Sequence, residues 1–136
     1  MTTHLIIGSG FAALKAAETI RQLAAEANII MVTEESDPPY WRPRLPDFVA
    51  KQVTAAKITI KPAGFFAEKQ IDLRLDQRVA KVIPAENRLL LASGDSLAYD
   101  TLLIASGSLA RRPGRDVPGS DLSGVVALRT LADARD

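Results

Sequence analysis

The chain has 136 residues and a formal net charge of +1, with 47% apolar and 24% charged residues, which is the composition of an ordinary globular protein. The near-zero net charge gives no reason to expect a nucleic-acid partner. The chain contains no cysteine and a single histidine, which excludes disulfides, redox dithiols and thiolate or histidine-rich metal sites, so we expect no metal site.

The first 34 residues have the pattern of a strand, a helix and a second strand. Residues 3–7 form a short apolar run, and residues 11–26 carry apolar side chains at helical spacing. Residues 28–33, with the sequence NIIMVT, predict a second buried strand. This order predicts a βαβ unit over residues 3–34.

A proline-rich segment follows, over residues 36–70. Four prolines between residues 38 and 46 prevent a regular helix before about residue 45. We therefore expect only short helices here, over residues 46–51 and 62–70.

Short strands separated by turns then predict a small antiparallel β-meander over residues 71–99. The turn sequences are PAEN and SGD, and the predicted strands cover residues 71–75, 78–83, 88–91 and 96–99.

The last part of the chain begins with another buried strand. Residues 101–105, TLLIA, run into Ser106 and Gly107. Residues 108–136 read as a connector, with a short strand predicted at 125–128 and a helix predicted to start at Thr130.

One glycine motif stands between the first strand and the first helix. Gly8, Gly10 and Ala13 fit the dinucleotide pattern G-x-G-x-x-G/A in the context that this pattern requires. Gly8 permits the tight turn, Gly10 lets a pyrophosphate approach the backbone, and Ala13 allows close packing of helix and strand. The N–H groups and the partial positive charge of the helix N-terminus favour the phosphates.

An acidic residue at the end of the second strand completes the dinucleotide pattern. Glu34, 26 residues after Gly8, is the predicted ligand of the adenosine ribose, and Glu35 takes that place if the strand is one residue longer. The pattern alone does not separate NAD from FAD. The proline-rich segment and the meander favour FAD, because a simple NAD domain continues with further helix–strand units.

Four stretches of the chain resemble the FAD domain of the pyridine nucleotide-disulfide oxidoreductase superfamily. The similarity is greatest to the branch that contains NADH:rubredoxin reductases, ferredoxin reductases and the nitrite reductase large subunit. The four stretches, in chain order, are IIGSGFAALKAA, PPYWRPRL, YDTLLIASGS and VPGSDLSGVVALRTLADA. The resemblance implies an α/β fold, with a Rossmann-like parallel sheet and the small meander, in a single incomplete FAD-binding domain over residues 1–136.

The resemblance also implies the residues that contact FAD. Those at the pyrophosphate are Gly8, Gly10, Phe11 and Ala12, beside Ala13 of the fingerprint, and Glu34 binds the ribose. The remaining implied contacts are Arg42 and Pro43 on the flavin side, Val79 at the adenine through its backbone, and Ala105, Ser106 and Gly107 close to the cofactor. Many ferredoxin reductases carry lysine where Asp47 stands, so that contact is not carried over.

The family activity is hydride transfer from NADH or NADPH to FAD, followed by electron transfer to an acceptor such as a small iron protein. Family members are much longer and carry their NAD(P)H domain beyond the part matched here. We therefore expect the 136 residues alone to be inactive and to hold the adenosine half of FAD weakly or not at all. No nucleophile–base pair or carboxylate dyad stands out, so we predict no catalytic side chain.

Two alternatives stay open at this point. The chain could be the NAD(P)-binding Rossmann domain of a dehydrogenase, or a non-catalytic truncated module that self-associates through exposed sheet surface. No apolar run reaches the roughly 20 residues of a membrane span. Because no secretory leader is recognisable either, we expect a cytoplasmic location and no membrane partner.

Overall fold

The computed structural model describes residues 1–114 and 116–135, and the chain divides into two compact units. The first unit comprises Met1–Tyr40 and Ile60–Gly107. The second comprises Trp41–Thr59 and the described part of residues 108–136. All the strands found in the described residues belong to the first unit: β1 (Thr3–Ile7), β2 (Asn28–Val32), β3 (Ile71–Arg74), β4 (Val79–Ile83), β5 (Arg88–Leu91), β6 (Ser96–Ala98) and β7 (Thr101–Ile104).

The strands form two sheets. The larger is a parallel sheet in the order β3-β2-β1-β7, in which Leu5 of β1 lies opposite Ile30 of β2 and Leu102 of β7. The smaller is the antiparallel meander β4-β5-β6. This architecture confirms the predicted α/β class with a parallel sheet and a meander.

The described helices are short except for the first, and no helix in the described residues is long and apolar enough to cross a membrane. They are α1 (Phe11–Leu23), α2 (Leu45–Val49), α3 (Ala55–Ile58) and α4 (Phe65–Glu68). Helix α1 ends at Leu23 rather than at the predicted residue 26, where the Ala24 N–H closes its last turn on the carbonyl of Ile20. Helix α4 begins only after Gly64, which has a left-handed conformation (φ +89°).

The core of the first unit lies on both faces of the parallel sheet. On one face Ile6, Ile29 and Met31 pack in a cluster with Ala13 and Ala17 of α1. On the other face Leu5, Ile30 and Val32 pack with residues of the meander such as Leu89 and Leu91. The central strands therefore carry uninterrupted apolar runs, Leu5–Ile7 in β1 and Ile29–Val32 in β2, because both faces of the sheet are covered there.

In the second unit, hydrogen bonds fix the two segments that compose it. The Trp41 N–H donates to the carbonyl of Ile58 over 2.8 Å, and an Nη1 N–H of Arg42 donates to the carbonyl of Arg129 over 3.1 Å. Leu45, Ile58 and Leu131 are the buried apolar side chains of this unit.

The boundary of the meander was predicted wrongly. Strand β3 pairs in parallel with β2, with Ile71 opposite Ile29, so it is the fourth strand of the parallel sheet and the meander begins at β4. Alternation of apolar and polar residues reports which face of a strand is buried. It does not report the direction of the neighbouring strand, and this is why the segment was misplaced.

Two predictions for the connector were also wrong. Residues 125–128 form no strand, and Val126 is 74% exposed. Where a helix was predicted to start at Thr130, residues 131–135 form a turn. The Ala134 N–H makes one bond of the α-helical type, to the Thr130 carbonyl. Asp136, the last residue of the predicted helix, lies outside the described residues. The Asp133 carboxylate accepts from the Thr130 N–H and the Thr130 hydroxyl accepts from the Asp133 N–H, so the capping box that indicates a helix start is present.

Candidate nucleotide site

The strand order of the parallel sheet reverses at β1, which lies between β2 and β7. In open α/β sheets the crevice outside the carboxyl ends of the strands at such a switch point is the usual place for a ligand. Two backbone bonds bring three strand ends together here. The Gly8 N–H donates to the carbonyl of Val32, and the Ala105 N–H donates to the carbonyl of Ile7, each over 2.8 Å.

Gly8 is required by the packing of the chain itself. Its φ is +116°, and a Cβ at this position would lie 2.7 Å from the carbonyl carbon of Ala105 and 3.2 Å from the Cα of Ser106. The turn after β1 therefore crosses directly against the chain that leaves β7, and no side chain fits between them. Ala105 and Ser106 are in this way placed beside the glycine turn.

Gly10 differs from Gly8, because nothing in the described chain requires it. Its backbone is extended (φ −69°, ψ −179°), and a Cβ built on it meets no atom within 4 Å. Gly10 borders open space in front of the first turn of α1. A group that approaches this backbone would occupy the space that a side chain would fill, so the geometry fits a ligand such as a pyrophosphate.

The first turn of α1 offers donors and no negative charge. The Leu14 N–H makes the first helical bond, to the Gly10 carbonyl over 3.0 Å, so the N–H groups of Ala12 and Ala13 have no acceptor within the helix. No acidic residue stands in this turn. The partial positive charge of the helix end is therefore available to an anion.

The other fingerprint residues divide between surface and core. Ala13 is fully buried in the cluster that contains Ile6, so its small side chain serves helix–sheet packing. Phe11 and Ala12 are exposed, as are Ser106 and Gly107 beyond the end of β7.

The two candidate ribose ligands have different partners. The side chain of Glu34 is 64% exposed, and its carboxylate is 3.7 Å from a guanidinium nitrogen of Arg78. The carboxylate of Glu35 accepts a hydrogen bond from the hydroxyl of the buried Tyr40 over 2.6 Å. Glu34 is therefore the more accessible carboxylate at the end of β2. Val79, the predicted adenine contact, is half-buried at the start of β4.

Arg42 and Pro43 belong to the second unit, where they lie in the 3₁₀ turn Arg42–Arg44. They line an open pocket of about 340 Å³, together with Leu45, Pro46, Leu128 and Arg129. Arg129 was not among the predicted site residues. Its Nε donates to the carbonyl of Ser108 over 3.0 Å. In the sequence, only its place after the apolar run VVAL could have pointed to it.

Sequence reasoning also missed two residues of the first unit. Ser9 lies between the two glycines and is bonded to Thr33, and Arg78 faces Glu34. Both depend on contacts between distant segments, for which the sequence carries no local signal.

Comparison with known proteins gives matches along nearly the whole chain. Residues 2–136 match the family model described as pyridine nucleotide-disulphide oxidoreductase. The chain is 38% identical over 135 residues to the 3-phenylpropionate/cinnamic acid dioxygenase ferredoxin–NAD(+) reductase component of Photorhabdus laumondii, covering 98% of this chain and 33% of that protein. It is 32% identical over 133 residues to the rubredoxin-NAD(+) reductase of Pseudomonas putida, covering 97% and 34% of the two chains.

A solved structure has the same fold. The NADH:rubredoxin oxidoreductase from Clostridium acetobutylicum superposes with a TM-score of 0.86 at 30% identity, covering 98% of this chain and 34% of that one. The chain spans about a third of the length of the curated relatives it matches. The match over residues 2–136 shows that the chain belongs to the pyridine nucleotide-disulphide oxidoreductase family.

Proposed function

We propose that the chain binds the adenosine diphosphate half of FAD, as part of a flavoprotein reductase that takes electrons from NADH or NADPH and passes them to a small iron protein. The observation that carries this proposal is the open space at Gly10 in front of an uncapped helix end, with the exposed carboxylate of Glu34 at the end of the neighbouring strand.

Each chemical group of the cofactor has a matching residue type. The diphosphate would lie at Gly10 and accept hydrogen bonds from the N–H groups of the first turn of α1. The ribose hydroxyls would donate to Glu34. The residues of the first unit proposed to contact FAD are Gly8, Gly10, Phe11, Ala12, Ala13, Glu34, Val79, Ala105, Ser106 and Gly107. Those proposed in the second unit are Arg42 and Pro43.

The chemistry that FAD supplies when bound is acceptance of a hydride and release of single electrons, and the protein supplies binding and orientation. The guanidinium of Arg42 is suited to a phosphate or a flavin carbonyl, because it presents donors in a planar fork. Gly8 holds the turn against Ala105, which keeps the diphosphate position fixed relative to the chain that follows β7.

The names of the relatives support the class of electron acceptor. The two curated relatives described above are named as reductases that couple NAD(+) to a ferredoxin or to rubredoxin. For the 136 residues alone we expect weak nucleotide binding without oxidation of NADH, because they contain only one G-x-G motif of the dinucleotide type.

A thermal-shift and calorimetric titration tests the proposal directly. At a ligand concentration about 100 times Kd, the free energy of unfolding rises by about 2.7 kcal/mol, which raises Tm by several degrees in a protein of this size. We expect FAD and ADP to raise Tm and NADH to raise it less. A larger shift with NADH would favour a plain NAD(P)-binding domain, and no shift with FAD or ADP would overturn the proposal.

Self-association has one observation in its favour as a second role. Ile104 of β7 is 64% exposed and Leu103 is 40% exposed, and in the described chain β7 pairs with β1 alone. Unpaired apolar edge strands promote association. Light scattering over a concentration series measures this, and a strict monomer at high concentration would exclude it.

A further inference from the structure

A guanidinium group stands beside the carboxylate proposed to bind the ribose. Arg78 lies immediately before β4, and one of its terminal nitrogens is 3.7 Å from an oxygen of Glu34. The two side chains are 75% and 64% exposed, so both face solvent and are accessible to a ligand. Because an exposed ion pair of this kind contributes little to stability, a purely structural role explains its position poorly.

Backbone hydrogen bonds fix the position of Arg78 relative to the end of β2. The Gln77 N–H donates to the carbonyl of Thr33 over 2.7 Å, and the Asp76 N–H donates to the carbonyl of Glu35 over 3.1 Å. The Ala92 N–H donates to the carbonyl of Arg78 itself over 2.8 Å. The backbone that carries the guanidinium is therefore hydrogen-bonded to the end of β2 on one side and to Ala92 on the other.

The neighbours of Arg78 are the residues proposed to bind the adenosine. Glu34 stands across from it and would hold the ribose, and Val79 is the next residue and would contact the adenine. The Arg78 side chain lies between the proposed ribose position and the proposed adenine position, so it is within reach of the base. A guanidinium plane stacks well on an aromatic ring, and it is weakly hydrated, so the contact costs little desolvation.

We propose that Arg78 is a further nucleotide-contacting residue whose guanidinium, held by Glu34, stacks on the adenine base. This inference rests on the proposed function, since it requires the adenosine to bind at Glu34. It assigns Arg78 a part in choosing the base, because a purine offers a larger stacking surface than a pyrimidine.

The test compares Arg78→Ala with the wild-type chain in binding ADP and UDP, measured by calorimetry. We expect Arg78→Ala to weaken ADP binding about tenfold, within the range of a cation–π contact that is partly desolvated, and to weaken UDP binding less. The ratio of the two dissociation constants therefore falls towards one. Arg78→Lys should restore only part of the ratio, since an ammonium group has no plane to stack.

Arg88→Ala is the matched control. Arg88 lies in the same meander, pairs with the exposed Glu86, also at 3.7 Å, and donates to the hydroxyl of Ser96. It lies at none of the positions proposed to bind the nucleotide, so its removal should leave both dissociation constants unchanged. If Arg78→Ala binds ADP as tightly as wild type, or loses ADP and UDP binding equally, the stacking role is wrong while the proposed function stands. If the wild-type chain binds neither ADP nor FAD, the proposed function fails and this inference fails with it.

Discussion

The hydroxyl of Ser9 donates a hydrogen bond to the hydroxyl of Thr33 over 3.1 Å, and both residues are more than nine-tenths buried. The same Thr33 oxygen accepts from the N–H of Glu35 over 3.3 Å. The residue between the two glycines is in this way tied to the residue before Glu34. These bonds link the glycine turn to the end of β2, where the diphosphate and the ribose are proposed to bind.

Removal of this link should destabilise the protein measurably. Ser9→Ala removes one of the two donors to the buried Thr33 hydroxyl, so we expect the free energy of unfolding in a urea titration to fall by about 1 kcal/mol. Thr33→Val should cost a similar amount, and the double variant little more than either single one. Ser93→Ala is the control, because its hydroxyl bonds Asp95 at the exposed surface, and we expect a change within about 0.5 kcal/mol. Equal effects at Ser9 and Ser93 would contradict the role of the buried link.

The two glycines of the motif should respond in opposite ways. Gly10→Ser places a good N-cap residue on an extended backbone with no atom within 4 Å of its Cβ, so the free energy of unfolding should stay the same or rise by a few tenths of a kcal/mol. Binding of FAD and ADP should weaken by about tenfold or more, because the new side chain fills the space proposed for the diphosphate. Calorimetry and urea titration separate the two quantities.

Gly8→Ala is the counterpart of that variant. Its Cβ would collide with the Ala105 carbonyl at a φ of +116°, so we expect a loss of roughly 3 kcal/mol or more in the free energy of unfolding. For Gly10→Ser, the contradicting outcome is FAD binding as tight as in the wild-type chain, which would show that no ligand approaches the backbone of Gly10.

The sequence predicted the features that depend on one segment of the chain, and it did not predict the contacts between distant segments. Strand β1 was predicted to its exact residues, and α1 and β2 to within three, because buried runs and helical spacing report burial along one segment. The parallel pairing of β3 and the bond from Tyr40 to Glu35 depend on which segments meet in space. The same holds for the pair of Ser9 with Thr33. Of the candidate site, the glycine turn and Glu34 were therefore predictable, whereas the residues that support them were not.

The carboxylate of Glu18 should make stability sensitive to acid. Lys15 donates to it over 2.8 Å and Lys61 pairs with it from the other side, and these hydrogen bonds lower the pKa of Glu18 below its ordinary value of about 4.3. A carboxyl group with a lowered pKa in the folded state stabilises the fold above its unfolded pKa, and this contribution is lost as the pH falls through the folded value.

The expected result is a shallower acid dependence when the cluster is broken. Between about pH 5 and pH 3, the free energy of unfolding should fall less steeply in Glu18→Gln than in the wild-type chain. Lys61→Met, which keeps the carboxylate and removes one partner, should give an intermediate slope. Urea titrations at a series of pH values measure this, and identical slopes in all three proteins would show that the cluster does not contribute.

The side chain of Arg21 connects the end of α1 to the turn that precedes β3. Its guanidinium donates to the carbonyls of Ala25, Lys69 and Gln70 over 2.6, 2.8 and 2.7 Å. We expect Arg21→Met to lower the free energy of unfolding by about 2 kcal/mol, since three carbonyls lose a charged donor. Arg21→Lys should recover less than half of that, because one ammonium group cannot span the same carbonyls. Arg74→Met serves as the control in the same urea titration. Among the described residues the Arg74 side chain bonds only the exposed Asp72, two residues away, and such a pair contributes at most about 1 kcal/mol. A loss in Arg21→Met no larger than in Arg74→Met would mean that the three carbonyls find water as readily as they find Arg21.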